Sequence, residues 1–242
     1  MKAWGETQVG RVRENNEDSY KIEFSNDKKT VLAVVCDGMG GARAGQVASE
    51  MACDIFTETV MERTGEHSGK KLEALMKEAV SCANSEIYQK SHIEEIYAGM
   101  GTTLVAAMCK NSKVTIINVG DSRAYFIDAE GISRITRDHS LVEDMIERGT
   151  ITEIEAHTHP NKNVITRAVG TEREICADVY LKELKNGEYI LLCSDGLSNL
   201  LNEQEMLYEV LYGEAETACS RLCEIANSRG APDNITAVLI TR

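Results

Sequence analysis

The chain has 242 residues, a formal net charge of −13 and only two prolines. That length can bury one substantial core, and the acidic balance argues against nucleic-acid or anionic-membrane partners, both of which reward basic patches. No apolar run reaches membrane-spanning length and the start, MKAWGETQ, carries no apolar signal segment, so a cytoplasmic protein is expected.

In chain order, segments at 3–9, 19–24 and 31–36 read as strands. Helical periodicity then appears twice. Val47, Met51 and Ile55 share a face over about 44–63, and Leu72, Met76, Ala79, Ala83 and Ile87 do so over about 70–90. Strands return at 103–110, 113–120 and 123–128, joined by tight polar turns. Residues 139–158 look helical but highly charged, with Gly149 breaking the pattern. Strands at 176–183 and 188–193 flank LKNGE, whose Asn-Gly predicts a hairpin. Helical patterns at 203–212 and 214–228 lead to a last strand at 234–241.

Adjacent hairpins and paired helices argue against a βαβ parallel sheet. They predict an α+β fold of two antiparallel sheets packed together, with helices on the outer faces. With no linker-like or repeated segment, a single domain over 1–242 is expected. The eight cysteines contain no Cys-x-x-Cys pair, which speaks against zinc. Cys219 and Cys223, four apart on a predicted helix, read as small core hydrophobes in a thiol-reducing setting.

One pattern recurs. The apolar run VLAVVC ends on Asp37-Gly38, YILLCS ends on Asp195-Gly196, and VTIINVG ends on Asp121. Asp18 directly precedes the strand at 19–24, and Asp233 precedes the last one. A lone Asp at a strand end is ordinary turn chemistry. Several together, two of them on very apolar strands, would repel one another unless cations were present. Oxygen-only ligation selects hard divalent ions, magnesium or manganese, and two such ions can activate a water for phosphate-ester hydrolysis. Nucleotide-binding readings of the glycine loop fail on spacing. Arg43 stands where a dinucleotide fingerprint needs glycine, and Gln46-Val47 where a P-loop needs Lys-Ser/Thr.

The segments RENNEDSY, VVCDGMGG with AGQVAS, GMGTTLVAA, NVGDSRAY, TRDHSLVEDMIERG, HPNKNVITRAVG, LLCSDGLSN and APDNITAV run from residue 13 to 238. Together, in this order, they resemble the metal-dependent type 2C protein serine/threonine phosphatases, most closely the compact bacterial branch. The resemblance implies a four-layer α-β-β-α sandwich with a flap subdomain at about 139–168. It also implies two Mn2+ or Mg2+ ions. Asp37 would bridge them, Gly38 would offer its carbonyl, and Asp195 and Asp233 would complete the protein ligands. Asp18 would ligate a metal ion or stand directly behind the ligands, oriented with Glu17, and Asp121 with Asp195 would hold a third, looser ion. Arg13 would grip the phosphate, its planar fork suiting two phosphate oxygens.

The implied reaction is in-line attack on phosphorus by a metal-bridging hydroxide, without a phosphoenzyme. Animal relatives carry a histidine directly after the Asp-Gly. Here Met39 stands there, so a metal-bound water is expected to protonate the leaving group and His139 is not expected to act as the acid. Ala42 and Gln46 depart from the bacterial pattern at the cleft rim, and Asn199 replaces an acidic residue of animal members near the third ion. His157 and His159 in HTHP read as packing or capping, and Thr102 and Thr103 as turn and strand structure.

Phosphorylated proteins are the implied substrates, and a cognate Ser/Thr kinase the implied opposing enzyme, for a monomer without nucleic-acid or membrane partners. Two other readings stand beside it: an inactive phosphoprotein-binding relative, against which the retained Asp37, Asp195 and Asp233 speak, and a hydrolase of small phosphoesters.

Overall fold

A computed structural model describes residues 1–41, 44–63 and 70–242. Ala42 and Arg43 lie outside the described residues, as does the side chain of His157. The strands are β1 (Lys2–Gln8), β2 (Asp18–Phe24), β3 (Thr30–Met39), β4 (Gly101–Thr102), β5 (Leu104–Lys110), β6 (Lys113–Val119), β7 (Arg123–Asp128), β8 (Gly131–Arg134), β9 (Asp178–Glu183), β10 (Tyr189–Cys193) and β11 (Ile235–Thr241). The helices are α1 (Ala44–Arg63), α2 (Lys70–Ile93), α3 (Leu141–Glu147), α4 (Glu153–His157), α5 (Asp195–Ser198), α6 (Glu203–Leu211) and α7 (Ala215–Ser228).

One antiparallel sheet has the order β1-β11-β10-β7-β8 and the other β2-β3-β5-β6-β9, with the short β4 beside β3. The side-chain period of two explains how they stack. On β3, Val31, Ala33 and Val35 meet Val105 and Ala107 of β5, Ile190 and Leu192 of β10 and Val238 and Ile240 of β11 between the sheets. The alternate residues Leu32, Val34 and Cys36 turn to the other face and pack under Phe56 of α1 and Met76 of α2. Leu191, Ala237 and Leu239 do the same beneath Met206 of α6 and Leu222 of α7. Strands buried on both faces read as continuous apolar runs, and the result is the expected α-β-β-α sandwich.

Three features differ from the sequence-based expectation. The Asn186-Gly187 turn exists, with Gly187 at φ +83°, but β9 and β10 do not pair. β9 joins β6 in one sheet, whereas β10 lies between β7 and β11 in the other. Local turn chemistry sets a reversal of direction and leaves the partner to tertiary packing. Secondly, β3 runs on through Asp37 to Met39, because Gly38 and Met39 pair with β4. Finally, β8, α5 and the 3-10 turn Glu95–Tyr97 were too short to carry a period.

The charged segment after β8 forms α3 and α4, with Gly149 (φ +67°) between them. Ser140 caps α3, and Thr152 with Glu155 forms a capping box on α4. The excursion closes on itself where Leu141 N–H donates to the Val164 carbonyl and Thr166 N–H to that of His139, both at 2.8 Å. Cys36, Cys53, Cys109, Cys193, Cys219 and Cys223 are buried free thiols, and Cys82 and Cys176 are exposed. Among the described residues no helix is long and apolar enough to cross a membrane.

Candidate active site

Asp37 continues the parity of Val31, Ala33 and Val35, so its side chain stands where the layer between the sheets runs out. Asp18 lies directly opposite it in the β2–β3 register. Ser194 continues the inward face of β10, and Thr236 that of β11. Their hydroxyls donate across the gap to Asp18 Oδ2, each at 2.7 Å. The second oxygen, Oδ1, is buried and has no hydrogen-bond partner. Asp18 thus ties the two sheets together at the end where the acidic strand termini gather.

The backbone of Asp37 is fixed on both sides. Its N–H donates to Thr103 Oγ1 at 2.9 Å, and its carbonyl accepts from Thr102 Oγ1 and Thr103 N–H, each at 2.9 Å. Gly38 N–H donates to the Glu17 carbonyl at 3.0 Å, and a Cβ on Gly38 would run into the Gly45 carbonyl of α1. Glycine is needed there for close approach of two backbones. Gly196 is the same case: its Cβ would strike the Asn234 carbonyl, so the loops carrying Asp195 and Asp233 touch through it. Asn234 extends this junction, accepting from Glu17 N–H at 2.8 Å and donating to the Val9 and Asn15 carbonyls at 2.9 Å.

These elements enclose a cavity of about 480 Å³ whose lining includes Arg13, Glu17, Asp37, Gly38, Asp121, Asp195 and Asp233. Asp18 is absent from the lining and lies behind Asp37. Asp37, Asp121, Asp195 and Asp233 therefore face one cavity, with Arg13 as the cation at its rim. Burial, then repulsion from Asp18, Asp195 and the other carboxylates, holds Asp37 well above the usual range. The same causes lift Asp195, and raise Asp18 and Asp121 to about 7.

An all-oxygen donor set with an orphaned buried carboxylate oxygen and mutually repelling carboxyls fits hard divalent cations. Among the described residues, no three His, Cys, Asp or Glu side chains close into a single ready-made cage. The carboxylates line one cavity instead, where hard divalent ions could be held with water completing their coordination.

Arg13 reaches in from the β1–β2 loop, half exposed, and bonds Asp233 Oδ2 at 2.9 Å. Met39 lines the cavity, and among the described residues no histidine does. His139 is buried away from it. Its Nδ1 accepts from Gly120 N–H at 3.1 Å, and its Nε2 faces Asp178 at 3.3 Å. His159 Nδ1 accepts from Asn161 N–H, a local cap.

Sequence reasoning missed the groups that hold the carboxylates. Thr102 and Thr103 position Asp37, Ser194 and Thr236 bind Asp18, and Ser122 Oγ hydrogen-bonds Thr103 Oγ1 at 2.7 Å. The available signal was small hydroxyl residues on otherwise apolar strands. The buried Arg123–Asp138 pair, with Nη2 to Oδ2 at 2.7 Å, was also missed. It fastens the loop of Asp121 to the base of the α3–α4 excursion.

Residues 8–239 match the sequence profile of the family Protein phosphatase 2C. The chain is 39% identical over 246 residues to the serine/threonine phosphatase stp of Listeria innocua, covering 100% of this chain and 96% of that protein. It superposes on the crystal structure of serine/threonine phosphatase Stp1 from Staphylococcus aureus with a TM-score of 0.90 at 35% identity, covering 99% of this chain and 94% of that one. The catalytic domain of the serine/threonine protein phosphatase PstP, crystallised with two manganese ions, gives a TM-score of 0.83 at 32% identity and covers 98% and 96%.

Proposed function

The chain belongs to the protein phosphatase 2C family and is a metal-dependent protein serine/threonine phosphatase, and we propose that Asp37, Gly38, Asp195 and Asp233 hold its metal pair. The observation that carries this reading is the gathering of Asp37, Asp121, Asp195 and Asp233, from the ends of four separate strands, around one cleft bordered by Arg13. When bound, divalent ions supply the positive field this acidic protein lacks and a water activated near neutral pH. Asp18 and Glu17 set the floor from behind, through Ser194, Thr236 and the Gly38 N–H. Asp121 lies nearer the α3–α4 excursion and, with Asp195, would hold a third, looser ion.

Arg13 acts at the rim. Its guanidinium exchanges Asp233 for two equatorial oxygens of the phosphoryl group, where a planar fork is worth more than a point charge. With Met39 in the cleft and His139 turned to Gly120 and Asp178, no imidazole among the described residues lines the cleft, and the serine or threonine alkoxide takes its proton from water there. The substrates are phosphoproteins, and the enzyme reverses a Ser/Thr kinase. Residues 139–168 act as a flap beside the cleft.

The test is turnover of p-nitrophenyl phosphate and of a phosphothreonine peptide with manganese, with and without chelator, beside Asp37→Asn. Activity on both that is lost with chelator and in the variant is expected. Chelator-resistant turnover, or full activity of Asp37→Asn, overturns the assignment. Turnover of the small ester alone shifts the reading to small phosphoesters.

A further inference from the structure

The buried stripe of α2 runs through Met76, Ala79, Val80, Ala83 and Ile87, and a polar side chain, Asn84, interrupts it at 2% exposed. An amide in such a place is costly unless its polar atoms are paired. Asn84 meets that condition outside its own helix. Its Oδ1 accepts from Gly170 N–H at 2.7 Å, and its Nδ2 donates to the carbonyls of Glu172 at 2.9 Å and Arg173 at 3.3 Å. The acceptor faces an N–H and the donor faces two carbonyls, which sets the orientation of the amide. Asparagine is a weaker helix former than alanine, so what this residue secures is the segment 170–173 and not α2.

That segment is linked to the carboxylate cleft through backbone. Thr102 and Val169 form an antiparallel bridge, in which Thr102 N–H donates to the Val169 carbonyl at 3.0 Å and Val169 N–H to the Thr102 carbonyl at 2.8 Å. Thr102 is in turn the register partner of Gly38, and its Oγ1 donates to the Asp37 carbonyl at 2.9 Å. Residues 169, 102 and 38 thus lie side by side, and the outer one rests on α2. Gly170, at φ +92°, is pressed against that helix, and a Cβ there would run into Ile87. Asn84 itself is absent from the cleft lining.

We infer that Asn84 is a positioning residue for the metal site: through Gly170 and Val169 it holds β4, and with β4 the Asp37–Gly38 backbone, in the place that metal binding requires. The inference rests on the metal-dependent phosphatase reading above and adds to it a residue outside the cleft. β4 is only two residues long, too short to be held by its own pairing with β3. Without the amide, Gly170 N–H and two carbonyls lose buried partners, the Val169 bridge loosens, and Thr102 no longer fixes the Asp37 carbonyl. Groups that orient metal ligands from behind change metal affinity by about 10- to 100-fold. Thr102 occupies that position and Asn84 stands behind it, so a smaller effect of about three- to tenfold is expected.

The experiment measures manganese binding by the electron paramagnetic resonance signal of the free ion, for wild type, Asn84→Ala, Asn84→Asp and Leu72→Ala. Thermal melts in chelator confirm that each is folded. Leu72 is buried on the same helix about three turns from Asn84, so Leu72→Ala reports a loss of α2 packing alone. Amide hydrogen exchange of the wild type, with and without manganese, reads the same coupling in reverse and needs no variant.

Asn84→Ala is expected to weaken manganese binding by about three- to tenfold and Leu72→Ala by less than about twofold. Asn84→Asp keeps an acceptor for Gly170 N–H and is expected to lose less than Asn84→Ala. In the wild type, manganese is expected to slow exchange at the Thr102, Val169 and Gly170 amides more than at Leu75 and Met76 of α2. Unchanged affinity in Asn84→Ala, a loss matched by Leu72→Ala, or exchange at Gly170 that ignores manganese overturns the role of Asn84, while manganese-dependent turnover by the wild type keeps the phosphatase reading intact. A wild type that neither binds manganese nor turns over p-nitrophenyl phosphate removes both.

Discussion

Replacing Asp18 by Asn separates the electrostatic strain of the carboxylate floor from its packing. Burial, with repulsion from Asp195 and Asp233, lifts Asp18 from 3.8 to about 7, against the hydrogen bonds from Thr236 and Ser194. A group whose folded pKa is raised contributes stability that is fully present below 3.8 and is lost as pH rises through about 7. The whole shift corresponds to roughly 4 kcal/mol, of which roughly 3 kcal/mol falls between pH 5 and pH 8.

Asn keeps an acceptor for the two hydroxyls and is neutral at every pH. It also puts an NH2 where Oδ1 has no partner, at a cost of about 1–3 kcal/mol that does not vary with pH. In chelator, Asp18→Asn is therefore expected to be less stable than wild type at pH 5, and to regain roughly 3 kcal/mol relative to it at pH 8. Urea denaturation at the two pH values, with m unchanged, measures this directly. Manganese is expected to stabilise the wild type more than the variant, because the Asp18 carboxylate directly opposite Asp37 adds its negative charge to the floor that holds the cation. An equal stability difference at pH 5 and pH 8 would refute the reasoning.

Arg13→Ala removes an exposed pair with Asp233, so stability measured by denaturation should change by less than about 1 kcal/mol. Its kcat/KM on p-nitrophenyl phosphate should fall by about 10- to 1,000-fold, in line with loss of one transition-state donor. Gly196→Ala drives a methyl into the Asn234 carbonyl and should cost about 1–3 kcal/mol and displace Asp195 from Asp233, read as a lower melting temperature and weaker manganese activation. His139→Gln should leave the shape of the kcat–pH profile unchanged, because His139 does not line the cleft. Its stability effect has a sign as well. Burial lowers the His139 pKa, so its contribution is present above about 6.5 and is lost as pH falls through the folded value. Wild type should lose more stability than the variant on acidification below pH 6.5.

The apolar runs at 31–36, 104–110 and 189–193 were legible as buried strands because both of their faces are filled, one by the other sheet and one by helices. The Asp-Gly steps after the first and last of these runs were legible because a charge directly after such a run has few structural uses. They singled out Asp37 and Asp195, and Asp121 and Asp233 followed as further carboxylates at strand ends. Spacing along one strand carries no information about which strand lies beside it, so the Asn186-Gly187 turn could not announce that β9 and β10 part into different sheets. Only the stacked sandwich placed Asp18 under the hydroxyls of Ser194 and Thr236, residues 176 and 218 positions away. It alone decided that Arg13 rests on Asp233 and that His139 faces Gly120 and Asp178 instead of the cleft. Residue type fixes what a group can do chemically; the groups it meets are chosen by long-range packing.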